Sequence, residues 1–245
     1  MISVCIATYN GEKYIRQQLD SIRSQLAADD EIIVSDDMSD DNTVGIIKSL
    51  NDARIKVFTH NKEHAKFSID YVTRNFENAL RHAKGDIIFL SDQDDMWFPS
   101  KVARMTDELL KGRDIIMSDC CTTDKDLNVV HVSYYNTERV FRPNIFYNVL
   151  KPAFLGSCMA FKRHVLDKAL PFPKYGVGHD LWLGLVGLKC YEFSYINEPL
   201  MFYRRHESSV TDGGKQNKTS LLFKIKYRIY VLLSLVRLST LKRNN

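Results

Sequence analysis

The chain alternates short apolar runs with segments whose apolar residues recur every three or four positions. Ile2 to Ala7 reads as a buried strand and ends in Thr8-Tyr9-Asn10-Gly11. Tyr14, Ile15, Leu19 and Ile22 follow at helical spacing. Glu31 to Ser35 predicts a second strand ending in Asp36-Asp37, and the cap-like Ser39-Asp40-Asp41-Asn42-Thr43 leads into a helix at Val44-Gly45-Ile46-Ile47. Arg54 to His60 predicts a shorter third strand. Ser68 to Lys84 predicts a helix with Tyr71, Phe76, Ala79 and Leu80 on its apolar side. Gly85 stops it, and Ile87-Ile88-Phe89-Leu90 predicts strand four. Four strand–helix alternations from the first residue predict an α/β fold with a Rossmann-like, doubly wound, mostly parallel sheet.

Beyond strand four the pattern predicts a helix over Pro99 to Leu110, with the proline near its first turn, and a strand over Asp114 to Ser118. Thr122 to Asn148 mixes aromatic and polar residues without a clear period, as a substrate-covering segment or a partner face does. Residues 153–161 read as a strand broken by Gly156-Ser157, and His164 to Ala169 as a short helix. After Gly176-Val177-Gly178, an apolar helix opens at His179-Asp180-Leu181-Trp182-Leu183. Tyr195-Ile196 and Leu200 to Tyr203 flank a predicted turn at Asn197-Glu198-Pro199, and Asp212-Gly213-Gly214 reads as a boundary. In the tail, Leu222, Ile225, Ile229, Leu232 and Val236 repeat at three and four, which predicts an amphipathic helix.

Composition refines this picture at three points. A chain of 245 residues, 44% hydrophobic and 26% charged, can bury the core of one α/β domain with an appendage. Eight of the 34 bases and none of the 30 acids lie in residues 213–245, so a mildly acidic body carries a basic, apolar tail. That asymmetry argues for a surface-binding tail and against a nucleic-acid partner. The five cysteines include no Cys-x-x-Cys pair, which points to reduced thiols in a cytosolic setting. No run of about 18 apolar residues predicts a transmembrane helix, and the N-terminal pattern is not that of a signal peptide.

The candidate chemistry lies at the strand ends. Asp92, Asp94 and Asp95 fall within four residues, directly after the apolar run of strand four. Open α/β sheets bind ligands at the carboxyl ends of their strands. Alternate carboxylates suit a hard divalent cation that shares its oxygen ligands with phosphates. An isolated Asp-x-Asp is equally the mark of a solvated turn, and Asp-Asp-x-Ser that of a helix cap. Here Thr8-Tyr9-Asn10, Asp36-Asp37 and Asp92-x-Asp94 end three strands in succession. Together they offer an aromatic ring, a hydroxyl and carboxylates for a base, a ribose and a metal-bound diphosphate. No Gly-rich phosphate loop is present, so a diphosphate would be neutralised by a cation on Asp92 and Asp94.

The stretches Ser3-Val4-Cys5-Ile6-Ala7-Thr8-Tyr9-Asn10-Gly11, Ile32 to Thr43, Asn75-Phe76 and Leu90-Ser91-Asp92-Gln93-Asp94-Asp95-Met96-Trp97 resemble the family 2 glycosyltransferases of the inverting GT-A type, over roughly residues 1–210. The Ser-Asp-Gln-Asp-Asp-x-Trp form is most similar to bacterial polysaccharide and O-antigen transferases, among them rhamnosyl-, glucosyl- and galactosyltransferases. Met38 departs from the family, which usually has Gly there. The resemblance implies that Asp94 and Asp92, with His206 as a further ligand, hold Mn²⁺ or Mg²⁺ on the donor diphosphate. Thr8, Tyr9, Asn10, Glu12 and Asp37 would frame the nucleotide, with Asn75 in support and Arg205, in a loop running from Tyr203 to Val210, at the diphosphate. Asp180 would be the general base, and Asp95 and Trp97 would hold the loop.

The implied organisation is a transferase domain over 1–212, with a nucleotide-sugar half (1–118) and an acceptor half (119–212), followed by a helical tail (213–245). The implied reaction moves a sugar from a UDP-hexose or dTDP-rhamnose donor to a saccharide on a polyprenyl diphosphate. The expected location is the cytoplasmic face of the cell membrane, with residues 218–243 on the anionic leaflet or docked on the body or a partner subunit. Two other classes are weighed against this one. A nucleotidyltransferase acting on a sugar phosphate would want a Gly- and Arg/Lys-rich loop after strand one, which Thr8 to Glu12 lacks. A non-catalytic membrane-associated scaffold would have no need of Asp92, Asp94 and Asp180 together.

Overall fold

The computed structural model describes residues 1–61, 67–174, 176–206 and 221–243. The Asp212-Gly213-Gly214 boundary and the end of the loop expected at Tyr203 to Val210 lie outside them. The predicted alternation is present as β1 (Ile2–Thr8), α1 (Ile15–Arg23), β2 (Glu31–Asp36), α2 (Thr43–Ser49), β3 (Ile55–Thr59), α3 (Ser68–His82) and β4 (Ile87–Asp92). There follow β5 (Met96–Trp97), α4 (Lys101–Leu110), β6 (Ile115–Thr123), β7 (Val129–His131), α5 (Tyr134–Thr137), α6 (Ile145–Leu150), β8 (Met159–Lys162), α7 (Leu166–Ala169), α8 (His179–Cys190), β9 (Phe193–Arg204) and α9 (Leu221–Thr240).

The strands form one sheet in the order β3-β2-β1-β4-β8-β6-β9-β5, with β7 on β6. Strands β1 to β4 are parallel, as are β6 and β9, while β8 lies antiparallel between β4 and β6. Val4, Cys5, Ile6, Ile32, Ile33, Val34, Ile88, Phe89 and Leu90 are fully buried, as the unbroken apolar runs of β1, β2 and β4 require of strands covered on both faces. Crossover connections bring the carboxyl ends of these three strands to one edge.

Three boundaries differ from the sequence reading. β6 runs five residues past its predicted end because Asp119 to Thr123 pair with β9. β9 passes straight through the predicted turn at Asn197-Glu198-Pro199. Its register slips between Ser118, opposite Ile196, and Asp119, opposite Pro199, so a bulge absorbs the two extra residues. The predicted strand at 153–161 begins only at Met159, because Gly156–Cys158 wind into a 3-10 turn. The stretch from Thr122 to Asn148 holds only β7 and the two single-turn helices α5 and α6, which are too short to show a period.

Two helices decide how the second half is held. α8 is apolar on every side, and Leu181, Trp182, Leu183, Leu185 and Val186 are all buried. Gly184 lets it close on Phe154, whose ring a Cβ at this position would meet at 2.4 Å. α9 docks on the body through Val231, Ser234 and Leu238, with Tyr227 and Leu235 beside them. Arg237 donates to the Pro171 carbonyl and lies 5.0 Å over the Trp182 ring. The stripe read from the sequence, Ile225, Ile229, Leu232 and Val236, is exposed, together with Leu233. Both sides of α9 are therefore apolar, and one alternation could not separate them. No helix among the described residues is long and apolar enough to cross a membrane. All five cysteines are free and buried.

Candidate active site

Parallel register places Thr8 beside Asp36 and Ala7 beside Asp92. The Thr8 hydroxyl donates to Asp36 Oδ1 (2.9 Å), and Asp36 also accepts the Ser39 amide and hydroxyl, so this carboxylate is spent on the turn after β2. That turn carries Met38 at φ +59°, in the left-handed region where a family glycine would sit without strain. Gln93 ties the loop after β1 to the carboxylate motif. Its Oε1 accepts the Tyr9 amide (2.9 Å) and its Nε2 donates to the Tyr9 carbonyl (3.0 Å). Gly11 leaves room for this clamp, since a Cβ there would lie 2.3 Å from Gln93 Oε1. Gln93→Ala is expected to leave Tm within about 2 °C, because the two bonds are exposed and each contributes on the order of 1 kcal/mol or less. It should raise the donor KM several-fold by freeing the Tyr9 loop, a change that steady-state kinetics on both substrates would read.

The carboxylates themselves are crowded. Asp95 is fully buried. Its Oδ1 accepts the Arg204 amide (3.1 Å), while its Oδ2 has no partner. Burial, and then the Asp94 and Asp92 charges, push its carboxyl well above the usual range. Asp92 is pushed up to about 7 by burial first, then by Asp94 and by Asp180. Asp94 Oδ2 lies 2.7 Å from His206 Nε2, and the His206 ring packs 4.9 Å from Tyr14. Two buried cations brace the cluster. Lys101 donates to the Ser157 carbonyl (2.7 Å) and sits 4.8 Å over the Trp97 ring, its pKa lowered by burial and raised back in part by nearby acids including Asp95 and Asp92. Arg204 donates to the Asp94 carbonyl (2.7 Å), the Lys125 carbonyl and Gln17, and stacks 4.4 Å over Tyr14.

Asp180 occupies the first turn of α8 and accepts the Leu181 amide (2.7 Å). Its charge contributes to raising the Asp92 carboxyl, after burial and Asp94. His179 is not part of that chemistry. Its ring stacks 4.1 Å from Phe76, its Nδ1 is buried without a partner, and burial lowers its pKa. Gly156 makes room for this ring, since a Cβ there would lie 2.5 Å from His179 Nε2.

The other expected residues divide by what they touch. Asn75 is buried and donates to the Thr8 carbonyl (3.1 Å), which supports the end of β1. Asp37 is buried, with its amide on the Thr8 carbonyl and Oδ1 2.5 Å from His60 Nδ1. Tyr9 is 45% exposed. Asn10 and Glu12 are used locally, Asn10 accepting the Asp40 amide and Glu12 the Asn42 amide. Arg205 engages Glu138 (3.2 Å), and its neighbour Arg204 is the arginine bonded to the carboxylate loop. Asp95 and Trp97 hold the loop as expected, Asp95 on β9 and Trp97 paired with Met201 across β5 and β9. The sequence reading passed over Lys101, Gln93 and His60, and had Arg204 only among the loop bases that could contact the diphosphate. For Lys101 a signal was there: it shares the buried face of α4 with Val102, Met105 and Leu109, where an unpaired lysine is costly.

Among the described residues no three metal-ligating side chains converge into a ready cage. The chemistry still fits a hard cation, which is commonly held by one or two carboxylates and completed by substrate phosphates. Asp94 and His206 meet, Asp92 adjoins them, and Asp95 carries an orphaned buried oxygen in a cluster of like charges.

Residues 3–170 match the description "Glycosyl transferase family 2". The chain belongs to glycosyl transferase family 2. This family 2 chain is 28% identical over 217 residues to the Escherichia coli UDP-Glc:alpha-D-GlcNAc-diphosphoundecaprenol beta-1,3-glucosyltransferase WfgD, covering 87% of this chain and 80% of that protein. It is 27% identical over 243 residues to the Shigella flexneri dTDP-rhamnosyl transferase RfbG, covering 91% of this chain and 77% of that one. Staphylococcus aureus TarS, solved with UDP-GlcNAc, superimposes with a TM-score of 0.70 at 17% identity, over 96% of this chain and 66% of that one. The Pyrobaculum calidifontis mannosyltransferase PcManGT, solved with GDP-Man and Mn²⁺, gives 0.61 at 22% identity, over 96% and 64%. The transferase fold is GT-A, and the chain spans about two thirds of those solved chains.

Proposed function

We propose that this transferase moves a hexose from a UDP donor, or rhamnose from a dTDP donor, to a sugar hydroxyl of a polyprenyl-diphosphate-linked saccharide, with inversion, in bacterial surface polysaccharide synthesis. One observation carries this reading: the strand-end acid Asp94 meets His206, Oδ2 2.7 Å from Nε2, beside Asp92 and the buried Asp95, an acidic cluster suited to a cation-bound diphosphate. The Asp180 charge also contributes to raising the Asp92 carboxyl, and in this reading Asp180 serves the acceptor. In a single displacement the acceptor oxygen attacks the anomeric carbon from the face opposite the diphosphate. Asp180 takes the hydroxyl proton as the bond to the diphosphate breaks and its electron pair leaves with the nucleotide. Asp180 stands in the first turn of the twelve-residue α8. Asp94, Asp92 and His206 would hold a divalent cation, which would supply Lewis-acid stabilisation of the departing diphosphate. Gln93 and Asn75 fix the Thr8-Tyr9 loop against the nucleotide, and Arg204 holds the Asp94 loop in place.

The relatives named for UDP-Glc and dTDP-rhamnose, one with an undecaprenol-linked substrate, support the donor and acceptor classes. The test is release of nucleoside diphosphate from a panel of nucleotide sugars with Mn²⁺ and a polyprenyl-diphosphate saccharide, with the product anomer determined. Release from a pyrimidine donor with inversion is expected. No release with any donor, or retention, would overturn the proposal.

A lipid-linked acceptor places the enzyme at a membrane surface, on the cytoplasmic face where nucleotide sugars are found, and α9 supports this. Its outer face exposes Ile225, Ile229, Leu232, Leu233 and Val236 with Lys226 and Arg228 beside them, and residues 213–245 contain no acid. The full chain is expected to float with anionic liposomes. Ile229→Glu with Leu233→Glu should lose flotation at unchanged Tm, since both positions point away from the docked face. A double variant that still floats would exclude α9 as the membrane contact.

A further inference from the structure

Helical spacing accounts for Tyr14 as one apolar residue among four, yet its ring is not spent on the core alone. Tyr14 immediately precedes α1. Its amide donates to the Gly11 carbonyl (3.0 Å) and its own carbonyl accepts the Gln18 amide (3.1 Å), so its backbone is held on both sides. Tyr14 and Gln17 are three apart and share one face of that first turn. Arg204, at the end of β9, uses both: its guanidinium lies 4.4 Å over the Tyr14 ring and donates to Gln17 Oε1. Two residues on, the His206 ring packs 4.9 Å from the same ring, tilted by 39°. Tyr14 is buried, and the His206 side chain is only 11% exposed. Both partners of the Tyr14 ring also meet Asp94, Arg204 Nε at its carbonyl (2.7 Å) and His206 Nε2 at Oδ2 (2.7 Å). The turn before α1, the end of β9 and the strand-end acid are thus joined through one aromatic side chain.

We propose that Tyr14 is a positioning residue for the cation site, its ring setting the His206 imidazole so that Nε2 faces the Asp94 carboxylate. The proposal deepens the reading above in which Asp94, Asp92 and His206 hold a divalent cation, and rests on it. The hydrogen bond to Asp94 and coordination of a cation would both use Nε2, so that bond cannot hold the ring once a cation stands between the two. Packing against Tyr14 engages no lone pair and survives the exchange. It fixes the direction of Nε2 beforehand, so less side-chain freedom is lost on binding. Groups that orient a metal-bound histidine contribute roughly 10- to 100-fold to metal affinity. The ring, not the hydroxyl, is what this needs, because the contacts to Arg204 and His206 are both made by the ring.

The test is Mn²⁺ binding to the full chain at about pH 8, read by electron paramagnetic resonance of free Mn²⁺, with the spin-echo modulation from a coupled histidine nitrogen as a second readout. Tyr14→Phe keeps the ring and is expected to bind Mn²⁺ within about twofold of wild type, with the nitrogen coupling intact. Tyr14→Leu should weaken Mn²⁺ binding roughly tenfold and lose the coupling. His206→Ala should lose as much. The double variant should lose no more than either single one, because the two residues act through one ligand. Thermal melts check folding, and Tyr14→Met takes the place of Tyr14→Leu if the latter melts early. Additive losses in the double variant would overturn the proposal, since Tyr14 would then act on Arg204 or on the fold at large and not through His206. Unchanged Mn²⁺ affinity in Tyr14→Leu would overturn it as well. A His206→Ala variant that binds Mn²⁺ as the wild type does would remove His206 from the cation site, and a wild type without Mn²⁺ affinity would remove the site itself. Those two results strike the reading beneath the proposal and are distinct from the first two.

Discussion

Asp94→Ala is expected to lower sugar transfer by about 10³-fold or more and to remove any response to Mn²⁺. Asp94 is the motif acid whose side chain meets the His206 ring, Oδ2 2.7 Å from Nε2, so it is the residue through which a cation and His206 would be joined. A loss on the order of 4 kcal/mol of leaving-group stabilisation is what removing a principal electrostatic contact at a developing charge costs. The electrostatics give a second readout that does not need turnover. Asp92 is raised to about 7 by burial and by its acidic neighbours, so in the metal-free protein it is protonated at pH 5 and ionised at pH 8. For an acid with a raised folded pKa, the stability linked to its proton is fully present below about pH 4 and is lost as pH rises through about 7. A bound cation would favour the ionised form. The Tm gain on adding Mn²⁺ should therefore be small at pH 5 and grow towards pH 8 in the wild type, and be absent at both in Asp94→Ala. A wild-type shift of equal size at both pH values would mean that Asp92 takes no part.

The sheet was legible because β1, β2 and β4 are covered on both faces and so read as unbroken apolar runs, ending where polar residues begin. The bulge in β9 was not, because Asn197-Glu198-Pro199 is as good a turn sequence as any. Only the partner strand β6, eighty residues earlier, holds it extended. α9 was legible as a helix, but not which of its faces meets the body. Both faces are apolar, and period alone does not separate them.

The motif acids were legible as a cluster at strand ends, and their crowding was implicit in their spacing. What the sequence hid is the supporting set, because each member acts over a long separation. Gln93 reaches back 84 residues to Tyr9, Arg204 reaches 110 to Asp94, and Lys101 reaches 56 to Ser157. Arg204 and Arg205 are neighbours with indistinguishable chemistry. Strand alternation sends one towards the Asp94 loop and the other to Glu138, and that parity depends on the same β9 register the sequence did not reveal.

Asp180→Asn is expected to lower kcat by about 10³-fold while leaving donor affinity unchanged, which separates the base from the donor site. General-base removal typically costs 10²- to 10⁴-fold, and the asparagine oxygen can keep the bond from the Leu181 amide, so α8 should start as before. His179 cannot take over the role: its ring is stacked on Phe76, buried, with its pKa lowered by that burial. The substitution also deletes a negative charge that helps hold Asp92 near 7, so the pKa of Asp92 must fall. Carbon-detected NMR of the labelled carboxyl groups would follow that titration in the metal-free protein. The two results together distinguish the possible outcomes. A large loss of kcat with a lowered Asp92 pKa places the base in the same space as the donor acids. A near-normal rate with the same pKa change would leave Asp180 as a bystander to the electrostatics and assign the proton to another group. An unchanged pKa would show that the Asp180 charge does not reach Asp92, and would leave the base assignment to the kinetic result alone.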